Sequence, residues 1–248
     1  MNLKEASVLL VEDEPLLRET MEAWIKQKAG HAVCAENGVE ALRLLTTEKI
    51  DLIISDVRMP VMDGIALVKQ LNRAGRHKPG VIFISGFSDL SLREAYDLGI
   101  EGVVEKPIDR DELLALMQRS LAGTDELLRE PPGKPPGAQL KLRFQSLADA
   151  LKEKRIAFGR RGFCIRSTGA LREGPVEFNL TFEADRPALR GQGVVRWSAP
   201  EEGQAGIEMA HVGDASRTWV LDLVNKIGLV PLIPRSTGVE RSSNREIA

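Results

Sequence analysis

Aromatic residues are scarce, 4% of the 248-residue chain with a single tyrosine, so a stacking surface for single-stranded nucleic acid has little to be built from. Cysteine is scarcer still. Cys34 and Cys164 lie far apart on apolar segments, and His31, His77 and His211 are scattered. Neither a disulfide framework nor a zinc cluster follows from such a set, and a reducing cytoplasm is the expected compartment. No apolar run approaches the roughly 18–20 residues of a membrane helix, so no membrane insertion is expected. The opening MNLKEASVLLVEDE lacks a basic region followed by an apolar core and a small-residue cleavage site, and does not read as a secretory signal. A strong charge of one sign is missing too. Residues 1–122 carry 15 Lys and Arg against 20 Asp and Glu, residues 123–248 carry 19 against 16, and the net charge is −2. Neither excess makes a face for nucleic acid.

The chain has an ordinary globular balance, 43% hydrophobic and 28% charged residues, and a length that suits two domains of about 120 residues. The composition breaks at Glu130-Pro-Pro-Gly-Lys-Pro-Pro-Gly137, which can continue neither a helix nor a central strand. Residues 123–137 are therefore expected to form a semi-rigid linker between a domain at 1–122 and one at 138–230. The polar, aperiodic tail, 231–248, is expected to be disordered.

The first part alternates in type. Short apolar runs at Ser7–Val11, His31–Cys34, Leu52–Ser55, Val81–Ser85 and Gly102–Glu105 read as strands. Between them, Pro15–Lys28, Gly38–Glu48, Gly64–Asn72 and Leu90–Leu98 carry apolar residues at helical spacing, and Asp109 opens a fifth helix. Such alternation predicts an α/β fold with a doubly wound, five-stranded parallel sheet covered on both faces. Glu12 and Asp13 follow the first strand and Asp56 the third, so all three converge where sites form in such sheets. Clustered carboxylates call for a cation, and a hard, oxygen-seeking Mg²⁺ fits. Ser85 and Lys106, ending the fourth and fifth strands, would suit a phosphoryl group carried by one carboxylate.

The segments VLLVEDE (8–14), LIISDVRMPVMDG (52–64), FISG (83–86) and EKP (105–107) together resemble the CheY-like receiver domain of bacterial two-component response regulators, over about residues 4–122. The resemblance implies a flavodoxin-like fold, with Asp56 as phosphoacceptor. It implies Mg²⁺ held by Glu12, Asp13, Asp56 and the main-chain carbonyl of Arg58, and phosphoryl oxygens contacted by Ser85 and Lys106. It further implies a sensor histidine kinase as phosphodonor, a phosphorylation-linked homodimer through helix four, strand five and helix five, and a switch rather than a turnover enzyme. One departure stands out. Receivers commonly have Tyr or Phe three residues before the lysine, and this chain has Val103, so coupling runs through packing of helix four and strand five or is weak. Phe87 is a bulky neighbour of Ser85 that could slow attack by water.

The second part reads differently. Ala138–Lys154 has Leu140, Phe144, Leu147 and Leu151 at helical spacing, whereas Val176–Phe182 alternates apolar and polar residues as a half-buried antiparallel strand does. Phe163–Arg166, Gly191–Trp197 and Gly206–Met209 are shorter strand candidates, and a helix spans about 215–226. Together they predict a small, mainly antiparallel β-barrel with flanking helices. No helix-turn-helix follows the linker, which argues against DNA as partner.

Residues 144–225 resemble a divergent PilZ domain through FQSLADALKEKRIAFGRRGFCIRS, GPVEFNLTF, LRGQGVVRW and GIEM. PilZ domains typically bind cyclic di-GMP through an upstream Arg-x-x-x-Arg pair and an Asp/Asn-x-Ser-x-x-Gly turn. Here Ala157 and Gly159 stand at the acidic and serine positions and only Gly162 survives. Arg186/Arg190 and Arg241/Arg245 fall after the turn. Cyclic di-GMP is therefore not expected, and the output is expected to dock an unknown downstream protein. Arg155, Arg160 and Arg161 form a local basic cluster that could meet a phosphate, although a solvated loop is the favoured reading. The alternatives are a cyclic di-GMP effector gated by phosphorylation and a receiver that acts as a phosphate sink or scaffold.

Overall fold

The computed structural model describes residues 2–74, 79–86, 90–129, 138–159, 161–166, 171–185, 188–227 and 233–236. The chain divides into two compact units, one of residues 1–122 with 234–248 and one of residues 123–233.

In the first unit, strands β1 (Ser7–Val11), β2 (His31–Ala35), β3 (Leu52–Asp56), β4 (Gly80–Ser85) and β5 (Gly102–Glu105) alternate with helices α1 (Pro15–Lys28), α2 (Gly38–Thr47), α3 (Gly64–Ala74), α4 (Leu92–Leu98) and α5 (Arg110–Leu121). These five strands pair in parallel in the order β5-β4-β3-β1-β2, so the topology reverses between β1 and β3. Successive strand residues point to opposite faces, and both faces are covered. Leu10, Ile54 and Ile82 pack with Met21 and Ile25 of α1 and Leu113 of α5. Their neighbours Leu9, Ile53 and Val81 pack with Ala41, Leu67 and Ala95 of α2, α3 and α4. That is why the strands read as unbroken apolar runs. The helix starts are encoded locally: Asn37 caps α2, Ser91 and Glu94 form a capping box on α4, and Asp109 caps α5.

A sixth strand lies on the sheet's edge. Arg235–Ser236 (β12) pairs in parallel with Gly102–Val103 of β5. The stretch 231–248 reads as disordered, and these two residues correct that reading. The outer edge of β5 offers unpaired N–H and C=O groups that a passing backbone can satisfy. The rest of that tail beyond Pro234 lies outside the described residues.

The second unit begins inside the expected linker. Thr124–Leu127 forms a short helix, α6. Leu128 is fully buried in the second core, Arg129 bridges to His211, and Asp125 lies 3.2 Å from Arg217. Residues 124–129 are thus part of the second unit, drawn in by one apolar side chain; the proline-rich 130–137 lies outside the described residues. The predicted helix over 138–154 is two elements, β6 (Ala138–Phe144) and α7 (Leu147–Lys152). Leu140, Leu142 and Phe144 fall on every second residue, and β9 supplies the backbone partners that stabilise that period as a strand. Strands β7 (Ile156–Gly159), β8 (Gly162–Arg166), β9 (Gly174–Phe182), β10 (Leu189–Ala199) and β11 (Gln204–Val212) follow, then α8 (Asp214–Ile227).

The order is β6-β9-β10-β11-β8-β7. The β6–β9 pair is parallel and the others are antiparallel. Among the described residues β6 and β7 do not pair. The predicted antiparallel barrel is therefore corrected to a mixed sheet with two edges, because β6 enters beside β9 in the same direction. The sheet curls around α8, whose Trp219 meets Phe158 of β7 and Phe182 of β9, each at 5.6 Å between ring centroids. Among the described residues no helix is long and apolar enough to cross a membrane.

Candidate functional site

Strands β1, β3, β4 and β5 are neighbours, so the residues at their carboxyl ends share one rim. The structure brings Glu12, Asp13, Asp56 and Lys106 together there, and Ser85 ends β4 between β3 and β5 on the same rim. One carboxylate oxygen from each of Glu12, Asp13 and Asp56 lies within 4.8 Å of the others. Glu12 is 1% exposed and Asp56 6%. The Lys106 ammonium donates to Asp56 Oδ2 and stands 3.8 Å from Glu12 Oε2. The Arg58 N–H donates to Asp56 Oδ1 at 3.1 Å, and the Glu14 N–H to Glu12 Oε1 at 3.3 Å. Glu12 Oε2 is buried and accepts no hydrogen bond.

The frame around the acids is tight. Arg18 of α1 donates to the carbonyls of Glu12 and Asp13, at 2.7 and 3.1 Å, and pins the acidic turn. Sequence reading missed this residue; an arginine one turn into the helix after an acidic turn was the available signal. A Cβ on Gly64 would sit 2.4 Å from the Asp56 carbonyl oxygen, so glycine is required for α3 to start so close to β3. Val61, in the loop between them, is held at φ 68°. A β-branched residue in the left-handed region carries strain of about 1–2 kcal/mol.

The electrostatics follow from crowding. Burial raises the Glu12 carboxyl above its ordinary value; the charges of Asp56 and Asp13 add to this, and Lys106 and the Glu14 N–H oppose it. Burial by itself would lower the Lys106 ammonium, but its hydrogen bond to Asp56 and the charges of Asp56, Glu12 and Asp13 outweigh burial and raise it. Lys106 is therefore a fixed cation at neutral pH, hydrogen-bonded to one acid and close to two more.

Ser85 is buried at the end of β4, where its hydroxyl donates to the Gly86 carbonyl at 2.8 Å. Phe87 lies outside the described residues. Val103 is buried in one cluster with Phe83, Ala95 and Ile100, so strand β5 and helix α4 share packing. Cys34 takes no part in the site; burial, with Glu22 beside it, pushes its thiol up to about 12.

Two of the three arginines of the expected basic cluster in the second unit, Arg155 and Arg161, stand at opposite ends of β7. Arg155 precedes β7 and lies over the Phe144 ring at 5.1 Å. Arg161 follows the far end of β7, and Arg160 lies outside the described residues. Arg161 is not solvated: it is 1% exposed, donates through Nε to the Met209 carbonyl at 2.9 Å, and lies 3.3 Å from Glu208. Arg196 holds the other oxygen of Glu208 at 2.6 Å. Sequence reading missed Glu208 and Arg196; the signal was a charged residue inside the apolar run of β11.

Residues 8–118 match the family model described as the response regulator receiver domain. Curated relatives include the transcriptional regulatory protein GlrR of Escherichia coli, 34% identical over 134 residues that make up 52% of this chain and 30% of the relative. Another is the transcriptional regulatory protein CrdR of Helicobacter pylori, 33% identical over 46% of this chain and 54% of the relative. The chain thus spans between about a third and a half of the length of these two relatives. Among solved structures, a response regulator receiver protein from Pseudomonas putida is 32% identical, covering 46% of this chain and 97% of its own, with a TM-score of 0.42. The acidic rim, its lysine and the family match over the same residues identify the first unit of this chain as the receiver domain of a two-component response regulator.

Proposed function

We propose that Asp56 accepts a phosphoryl group from a sensor histidine kinase and that the second unit carries the response. The observation that carries this reading is the pairing of a nearly buried carboxylate with Lys106 while two further carboxylates stand within 4.8 Å of it. The donor set fits a hard divalent cation, Mg²⁺. The rim has three carboxylates against one ammonium, and a buried Glu12 oxygen that accepts no hydrogen bond faces the cluster. Glu12, Asp13, Asp56 and the Arg58 carbonyl would hold the ion. Bound there, Mg²⁺ would neutralise charge on the phosphoryl oxygens and the attacking carboxylate.

The chain's own residues do the positioning. An Asp56 oxygen bonds to phosphorus as the phosphorus–nitrogen bond of a phosphohistidine, protonated on its other ring nitrogen, breaks; the bond's electron pair stays on that ring, which leaves as neutral imidazole. The Arg58 N–H and the Lys106 ammonium orient the carboxylate, and Lys106, held charged by its acidic neighbours, shifts to the phosphoryl oxygens with Ser85. An apolar trough of about 300 Å³, lined by Leu17, Met21, Trp24, Ile108 and Lys106 among others, borders this rim. It offers the phosphodonor a place to rest beside Asp56. Only one residue is modified per event, so the domain acts as a switch. Val103, sharing a cluster with α4, is the packing route by which the rim reaches the α4–β5 surface. The cyclic di-GMP reading loses support, since Arg161 is engaged by Glu208 and Arg155 stands at the other end of β7.

Incubation with acetyl phosphate and Mg²⁺, followed by intact-mass measurement, tests the site. The wild-type chain gains one acid-labile phosphoryl group and Asp56→Asn gains none. Undiminished labelling of the variant would reject Asp56 as acceptor.

A further inference from the structure

The outward face of the second sheet carries a groove of about 500 Å³. Three neighbouring strands set its polar lining in two rows. Lys141, Asn179 and Arg190 stand abreast on β6, β9 and β10, and Gln139, Glu177 and Gln192 stand abreast two residues away. Strand geometry puts Lys141 and Arg190 about 9–10 Å apart at Cα, with the two rows about 6–7 Å from each other. Two features of this surface set it apart from a solvated sheet face. Asn179 Oδ1 and Gln192 Oε1 are both buried, and neither has a hydrogen-bond partner. A buried amide oxygen left without a donor is destabilising, and a donor entering the groove would relieve this as the two amides turn toward it.

The charges and hydrogen-bonding groups of this lining define the chemistry that would fit it. Lys141, Arg190 and Glu177 sum to a single positive charge, which selects a net anion over a zwitterion. The ammonium of Lys141 and the forked guanidinium of Arg190 flank one row from both sides, an arrangement suited to a phosphate dianion. Asn179, Gln192 and Glu177 present acceptors, so the ligand must also bring O–H or N–H hydrogens; inorganic phosphate alone brings too few. The groove has the size of a small-molecule site. We propose that it binds a phosphate monoester of a polyhydroxy compound, a sugar or polyol phosphate, with the phosphate on Lys141 and Arg190 and the hydroxyls on Asn179, Gln192 and Glu177. This inference is independent of the role of Asp56.

Titration calorimetry of the full chain with glycerol 3-phosphate, ribose 5-phosphate and glucose 6-phosphate, without divalent cation, tests it. At least one ester binds with a dissociation constant below about 1 mM, and inorganic phosphate binds at least tenfold more weakly. The double substitution Lys141→Ala/Arg190→Ala, at two exposed positions, lowers affinity at least tenfold, whereas Lys141→Arg/Arg190→Lys keeps it. Gln192→Leu weakens the esters and leaves inorganic phosphate unchanged. Binding by none of the three esters overturns the proposal. So does binding that survives the double alanine substitution, or equal affinity for inorganic phosphate, which would reduce the groove to a plain anion patch.

Discussion

At the rim of the first sheet, three carboxylates meet one ammonium, and a buried oxygen of Glu12 accepts no hydrogen bond. On the second sheet, two guanidiniums meet one carboxylate: Glu208 gives one oxygen to Arg161 and the other to Arg196, and Arg161 also donates to the Met209 carbonyl. Both clusters bury charge. The first is left short of positive charge and keeps an acceptor open, which is what a site for a cation and a phosphoryl group needs. The second engages both of its carboxylate oxygens and reads as structural. What separates them is whether buried atoms have partners.

The comparison is broken most directly at Glu208. Glu208→Ala leaves the buried Arg161 guanidinium without its carboxylate, and the cost expected for uncovering a buried charge is about 3–5 kcal/mol. Urea unfolding followed by hydrogen exchange of the β11 amides measures it; a loss below about 1 kcal/mol would mean that the pair contributes no more than a surface ion pair does. Two glycine substitutions come next, each expected to cost about 1–3 kcal/mol by overpacking. A Cβ on Gly206 would lie 2.2 Å from Trp197 Nε1, and one on Gly64 would lie 2.4 Å from the Asp56 carbonyl oxygen. Gly64→Ala should therefore also abolish phosphoryl labelling, which Gly206→Ala should spare.

Much of the first unit was legible because every local signal agreed. Unbroken apolar strands, helical spacing and capping residues all pointed to one topology, and the acids sat where adjacent parallel strands end. The second unit was legible only where one period was unambiguous, as in β9. Leu140, Phe144, Leu147 and Leu151 fit a helix, while Leu140, Leu142 and Phe144 fit a strand. Pairing with β9, far along the chain, decides between them. Arg161 has the same origin. Its run of basic neighbours reads as solvated, and its burial depends on Glu208, brought near only when β11 and β8 pair. The short β12 strand is likewise set by a free edge elsewhere in the fold.

A smaller effect sharpens the first cluster. Glu12→Gln removes one metal-binding carboxylate and is expected to weaken Mg²⁺ at least tenfold, about 1.4 kcal/mol, by calorimetric titration. With the cation chelated, the same substitution should raise stability at neutral pH. Burial holds the folded-state pKa of Glu12 above its unfolded value, so ionisation costs the folded chain free energy once the pH exceeds the unfolded pKa. The advantage should vanish well below about pH 4, where the carboxyl is protonated in both states. A variant less stable than wild type at neutral pH would mean that the Glu12–Lys106 attraction outweighs burial.

Arg155 provides the smallest test and the sharpest contrast with Arg161, its neighbour in the basic run. Its side chain is half exposed, lies 3.9 Å from the exposed Glu153 and covers the Phe144 ring at 5.1 Å. An exposed cation over an aromatic face is worth about 0.5–1 kcal/mol, and Arg155→Ala should cost no more than that in urea. The loss should shrink when Phe144 is already Leu, because the double-mutant cycle isolates the ring contact. Arg161→Ala should cost several-fold more, since it strands Glu208 with Arg196 alone and frees the Met209 carbonyl. Equal costs at the two positions would show that proximity in sequence, and not the partner that burial supplies, governs what each arginine contributes.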